Sequence, residues 1–217
     1  MIKFITTLLA LFMFSTSYAK EVKVGIILGF TGPIESLTPG MAAGAELAFN
    51  EASDSGALLG GSTVSSIRAD STCIDSAAAA SAAEFLISQG VTAIMGADCS
   101  GVTGAVLSNV AVPNGVPMIS PSATSPALTT AEDNGLFFRT APSDARGGEV
   151  LADITNDRGI TSVAITYVNT DYGVGLADVY EAAANARGIE VTAKTAHEGD
   201  KADYSAEVGV LSSAGGD

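Results

Sequence analysis

Apolar and polar positions along the chain switch repeatedly between a period of two and a period near 3.6. The run 22–28 (Val-Lys-Val-Gly-Ile-Ile-Leu) is short, β-branched and ended by Gly29, the pattern of a buried strand. Thr38-Pro39 then predicts an N-cap followed by proline at the first helical position. Behind it Met41, Gly44, Ala45, Ala48, Phe49 and Ala52 fall on one helical face. Further strands are expected at 64–69, 91–95, 116–119, 137–140, 162–168 and 189–195. Helices are expected from Asp75 as cap to about Ser88, over 103–112, and from the Ser143-Asp144 cap to about Arg158. In the last of these Val150, Leu151 and Ile154 should face inward. Leu176, Val179, Tyr180, Ala183 and Ala184 mark another helix, and 204–213 a final one. This strict alternation predicts an α/β fold with parallel sheets and helices on both faces.

The first nineteen residues stand outside that pattern. Lys3 precedes an apolar stretch from Phe4 to Phe14, and Ser17-Tyr18-Ala19 has the small-x-small form of a cleavage site. A signal peptide over 1–19 and a periplasmic destination are expected, with no membrane insertion of the chain after cleavage. The formal charge is −14, which argues against nucleic acid and anionic membranes as partners. The two cysteines, Cys73 and Cys99, form an even count that in an exported chain suggests a disulfide, two free buried thiols being the alternative. With one histidine and no Cys-x-x-Cys, too few nitrogen and sulfur ligands remain for a metal site.

Catalytic motifs are missing. Gly29-Phe30-Thr31-Gly32-Pro33 follows a strand but is not Gly-x-Gly-x-x-Gly, no phosphate-binding P-loop occurs, and no Gly-x-Ser-x-Gly surrounds a serine. His197 sits in an acidic, polar stretch and reads as a loop residue. No cofactor is expected. What remains is binding chemistry at two strand ends, 96–103 and 117–124. Ser100, Thr103, Ser122 and Thr124 offer hydroxyl donors there, beside backbone N–H groups at helix starts. A carboxylate suits such donors.

These residues carry a resemblance. Phe30-Thr31-Gly32-Pro33, Phe49-Asn50-Glu51, the Cys73 and Cys99 spacing, Cys99-Ser100, the run 119–124 (Ile-Ser-Pro-Ser-Ala-Thr), Phe138-Arg139-Thr140 and Asp171-Tyr172-Gly173 occur in the order of one family. From about Glu21 to Asp217 the chain resembles the periplasmic substrate-binding proteins of the leucine/isoleucine/valine type, with the type I periplasmic-binding fold, which serve ATP-driven (ABC) importers. The resemblance implies that Ser100, Ser122, Ala123 and Thr124 hold a ligand's carboxylate and ammonium, and that Tyr172 packs over it. It implies structural roles for Arg139 and for Asp144, the latter as a helix cap. It also implies two lobes, 20–141 and 142–217, the second incomplete because the helix ending in Gly215-Gly216 should lead into another strand. Glu35-Ser36-Leu37 departs from the family's loop near the ligand and leaves side-chain preference open. The function so implied is capture of a small polar ligand, an aliphatic amino acid before others, for a membrane permease. The alternative is a sensor or regulator of the same fold recognising an amide, urea or a small carboxylate.

Overall fold

The computed structural model describes residues 19–216. The expected signal segment lies outside the described residues except for Ala19. Five parallel strands form one sheet in the order β2-β1-β3-β4-β5. They are β1 (Glu21–Leu28), β2 (Thr63–Asp70), β3 (Ala93–Gly96), β4 (Met118–Ser120) and β5 (Phe137–Arg139). Helices α1 (Thr38–Asp54), α2 (Ser76–Ser88), α3 (Ser100–Val106) and α4 (Val112–Asn114) connect them, the last two joined by a π-helical turn, Leu107–Ala111. Beyond this sheet come α5 (Asp144–Asp157), β6 (Ser162–Val168), α6 (Asp171–Ala186), β7 (Glu190–His197) and α7 (Ser205–Ala214). β6 and β7 pair in parallel as a separate two-stranded sheet. The expected α/β alternation is present except between β4 and β5, where only a 3-10 turn, Pro126–Thr129, intervenes.

The interior position of β1, between β2 and β3, explains its continuous apolar run. Ile27 joins Leu86, Ile94, Val106, Val110 and Met118 in a core under α2 and α3. Ile26 and Leu28 point the other way and meet Ala42, Met41, Ala45 and Phe49 of α1. Period-two alternation thus supplies both faces of the sheet from one strand. On the α1 side the register places Met95 of β3 beside Ile119 of β4, and Ile119 beside Phe138 of β5. Ile119 and Phe138 remain exposed there, because α1 reaches only the β1 end of that face.

Several expectations are corrected. Thr38 is not the cap of α1: Leu37 is, and the buried Thr38 hydroxyl instead donates to the Gly29 and Glu35 carbonyls, tying the helix to the end of β1. Val150, Leu151 and Ile154 of α5 face outward, not inward. The buried side of α5 is Gly148, Ala152 and Thr155, and it packs on α6, where Val179 sits against Gly148 and the Thr155 hydroxyl lies 3.0 Å from Tyr180 Oη. Small residues let two helices approach closely, so the smaller face was buried and the larger one was not. His197 ends β7, with Nδ1 2.8 Å from the Thr166 hydroxyl, and is no loop residue. Asp75 caps α2 as expected, accepting from the Ala77 and Ala78 N–H groups at 2.9 and 3.0 Å. Cys73 and Cys99 form a disulfide that ties the segment after β2 to the segment after β3.

Candidate functional site

The segments that follow β1, β2 and β3 converge on one buried carboxylate. Asp98, only 3% exposed, accepts from the Gly29 N–H at 2.6 Å, the Ser71 hydroxyl at 3.1 Å and the Cys99 N–H at 3.0 Å. A buried charge is tolerated where donors satisfy it, and here three do. Cys99 is the N-cap of α3, so this helix begins at Ser100, three residues before the predicted start at Thr103. Its first-turn N–H groups have no intrahelical acceptor.

Ser100 is 4% exposed, and its Oγ accepts from the Thr124 and Ser125 N–H groups at 3.2 and 3.1 Å. With both lone pairs taken, its O–H is left to donate. Ser122 donates to the Asp98 carbonyl at 3.0 Å. Arg139 braces the same loop from behind, donating to the Ser125 carbonyl at 2.9 Å and the Ala123 carbonyl at 3.3 Å, and also to the Thr129 hydroxyl. The loop after β1 is held in a similar way by Asp70. Burial works to raise the Asp70 carboxyl, yet hydrogen bonds from the Thr31 hydroxyl and from the Thr72 and Thr31 N–H groups hold it below the usual carboxylate range.

A cleft of about 880 Å³ opens between these loops and the start of α6. The segments after β3 and β4 contribute Ser100, Ser122 and Thr124 to its lining, those after β1 and β2 contribute Ile34, Leu37, Met41 and Ile74, and α6 contributes Asp171 and Tyr172. Two expected ligand contacts are placed elsewhere. Ala123 is 1% exposed and faces the core, with its N–H spent on Ser120 Oγ at 3.0 Å. Thr103, fully buried, returns its hydroxyl to the Cys99 carbonyl at 2.8 Å, an ordinary helix back-bond. Tyr172 stands half-exposed at the mouth.

Asp144 is a further residue that sequence reasoning placed wrongly, as the cap of α5. Ser143 alone caps α5, accepting from Ala145 N–H at 3.3 Å. Asp144 lines the cleft instead, and its Oδ2 is buried with no hydrogen-bond partner. A Ser-Asp pair before a helix carries no signal of which member caps. Five carboxylates line the cleft (Asp98, Asp144, Asp171, Glu198 and Asp200), and among its described lining residues there is no Lys, Arg or His. No cluster of three or more potential metal ligands occurs among the described residues.

The entry into α6 is tightly fitted. Thr170 caps it, and a Cβ on Gly173 would stand 2.0 Å from the Val168 carbonyl oxygen. Gly173→Ala is therefore expected to destabilise the fold by about 2–3 kcal/mol. Gly44→Ala, on open helical surface in α1, should be neutral or stabilising by about 0.5–1 kcal/mol. Urea unfolding of the two variants checks the contrast.

Residues 21–217 match the family model described as periplasmic binding protein. A Leu/Ile/Val-binding protein homolog from Brucella melitensis is 35% identical over 205 residues, covering 93% of this chain and 54% of the relative. The crystal structure of the substrate-binding protein LivJ from Streptococcus pneumoniae, in complex with isoleucine, superposes with a TM-score of 0.74 at 26% identity, covering 91% of this chain and 55% of that one. An R. palustris solute-binding protein in complex with 4-hydroxybenzoate superposes with a TM-score of 0.77 at 21% identity, over 90% of this chain and 52% of that one. The chain spans about half the length of the curated relatives it matches.

Proposed function

The chain belongs to the periplasmic binding protein family, and we propose that it serves to capture an aliphatic amino acid for an ATP-driven importer. In this reading 20–141 and 142–217 belong to two lobes that close on the ligand, and the liganded form docks on a membrane permease. The observation that carries it is the division of the cleft. Hydroxyl donors of Ser100 and Thr124 come from the segments after β3 and β4, and the aliphatic side chains of Ile34, Leu37, Met41 and Ile74 from those after β1 and β2. A carboxylate satisfies the first set and a branched hydrocarbon the second. The unpartnered Oδ2 of Asp144 suits an ammonium, and Tyr172 covers the mouth. The Leu/Ile/Val-binding names of the curated relatives agree with this ligand class.

The test is a thermal-shift screen of the protein at its natural full length against leucine, isoleucine, valine, short amides, urea and benzoates. A ligand at one hundred times its Kd stabilises by about 2.7 kcal/mol, an easily read shift. Leucine, isoleucine or valine is expected to produce it, with Ser100→Ala and Thr124→Ala each weakening binding by about tenfold or more. A shift with amides or urea alone would overturn the amino-acid reading.

A further inference from the structure

We infer that Asp171 is the group that sets this cleft against carboxylates lacking an ammonium, an inference that rests on the amino-acid reading above. Asp171 opens α6, where its backbone is fixed by the Thr170 cap and the close seat of Gly173. Its carboxylate lies against the first turn of α3: a Cβ built on Gly101 would be 3.3 Å from Asp171 Oδ2 and 3.6 Å from its Cγ. A side chain at position 101 would crowd it. This is the same turn whose free N–H groups, with Ser100 and Thr124, face the proposed carboxylate position.

An arriving carboxylate therefore meets a fixed negative charge beside its donors. No ion-pair partner of Asp171 occurs among the described residues, and no cation lines the cleft. Two carboxylates at such range repel, the more so as water is expelled. A zwitterion brings its own compensating charge. Its ammonium sits between its carboxylate and the acids of the cleft, Asp171 and the unpartnered Asp144 among them. The fold by itself excludes nothing here, since a protein of the same fold is solved with 4-hydroxybenzoate. The discrimination has to come from lining residues: the Asp98 side chain is already held by three donors, whereas Asp171 lies beside the first turn of α3 with no ion-pair partner among the described residues. An acid in the first turn of a helix also has a plain role, favouring the dipole of its own helix. That role predicts no ligand dependence.

The experiment uses leucine and 4-methylpentanoate, the same skeleton without the amine, titrated calorimetrically into the full-length wild type, Asp171→Asn and Asp171→Ala. Wild type is expected to bind leucine and to bind 4-methylpentanoate far more weakly. Both variants should bind 4-methylpentanoate about tenfold or more tighter than wild type does, and benzoate should follow. Unchanged or weaker binding of 4-methylpentanoate in both variants, with unaltered urea midpoints, overturns the role of Asp171. Failure of the wild type to bind leucine would instead overturn the amino-acid reading, whatever the variants do.

Discussion

Asp98→Ala is expected to lower the unfolding free energy by about 3–5 kcal/mol, because two buried donors and one part-buried donor lose a charged acceptor at once. The Gly29 N–H, the Ser71 hydroxyl and the Cys99 N–H all end on this side chain. No water takes its place easily, since Asp98 and Ser71 are both buried. Asp98→Asn should recover only part of the loss. Its amide oxygen can serve Ser71 and Cys99, but its NH₂ would then face the Gly29 N–H, donor against donor. Urea denaturation reads the order wild type, Asn, Ala. Ligand affinity should fall in the same order, because the Asp98 carbonyl also accepts from Ser122. An alanine variant within 1 kcal/mol of wild type would show that the three strand ends hold without their shared acceptor.

The second large effect belongs to the disulfide. Cys73 and Cys99 are separated by 26 residues. Closing a loop of that length restricts the unfolded chain enough to stabilise the fold by about 3.5 kcal/mol in the chain-entropy model. The double variant Cys73→Ala/Cys99→Ala should lose close to that amount, seen as a lower urea midpoint that reductant no longer changes. Reductant should bring wild type to the same midpoint. Both cysteines line the cleft, and Cys99 is the N-cap of α3. Weaker ligand binding should therefore accompany the loss of stability. Equal midpoints with and without reductant in wild type would contradict the expectation.

What the sequence made legible was periodicity and local chemistry. β1 announced itself because a strand buried on both faces needs a continuous apolar run, and Asp75 because a carboxylate before an alanine-rich run has one obvious use. Ser100, Ser122 and Thr124 drew notice because hydroxylated loops after strands are recognisable by composition, and all three lie on the lining of one cleft. Illegible were choices between neighbours and between faces. Thr38 spends its hydroxyl on Gly29, a partner nine residues away that no local rule supplies. α3 starts at Ser100 because Cys99 is pinned by Asp98 and by the disulfide, two tertiary constraints that outweigh the poor helix propensity of Ser100-Gly101. Val150, Leu151 and Ile154 have the right spacing for a buried face, but spacing does not say what lies opposite it. Asp144 is the sharpest case. Its role in the cleft depends on a carboxylate oxygen finding no partner, and an absent partner leaves no trace in a sequence.

The bare side of β4 and β5 has a consequence for how the molecule must be made. Ile119 and Phe138 lie side by side in register, exposed, with β5 as the outermost strand of its sheet among the described residues. Apolar surface beside an open strand edge invites other chains to pair and stack. Yield is then a race between two rates, one first-order and one second-order in protein. Whatever covers that face must arrive before a neighbour does, so dilution and slow delivery favour the monomer while crowding at the point of emergence works against it.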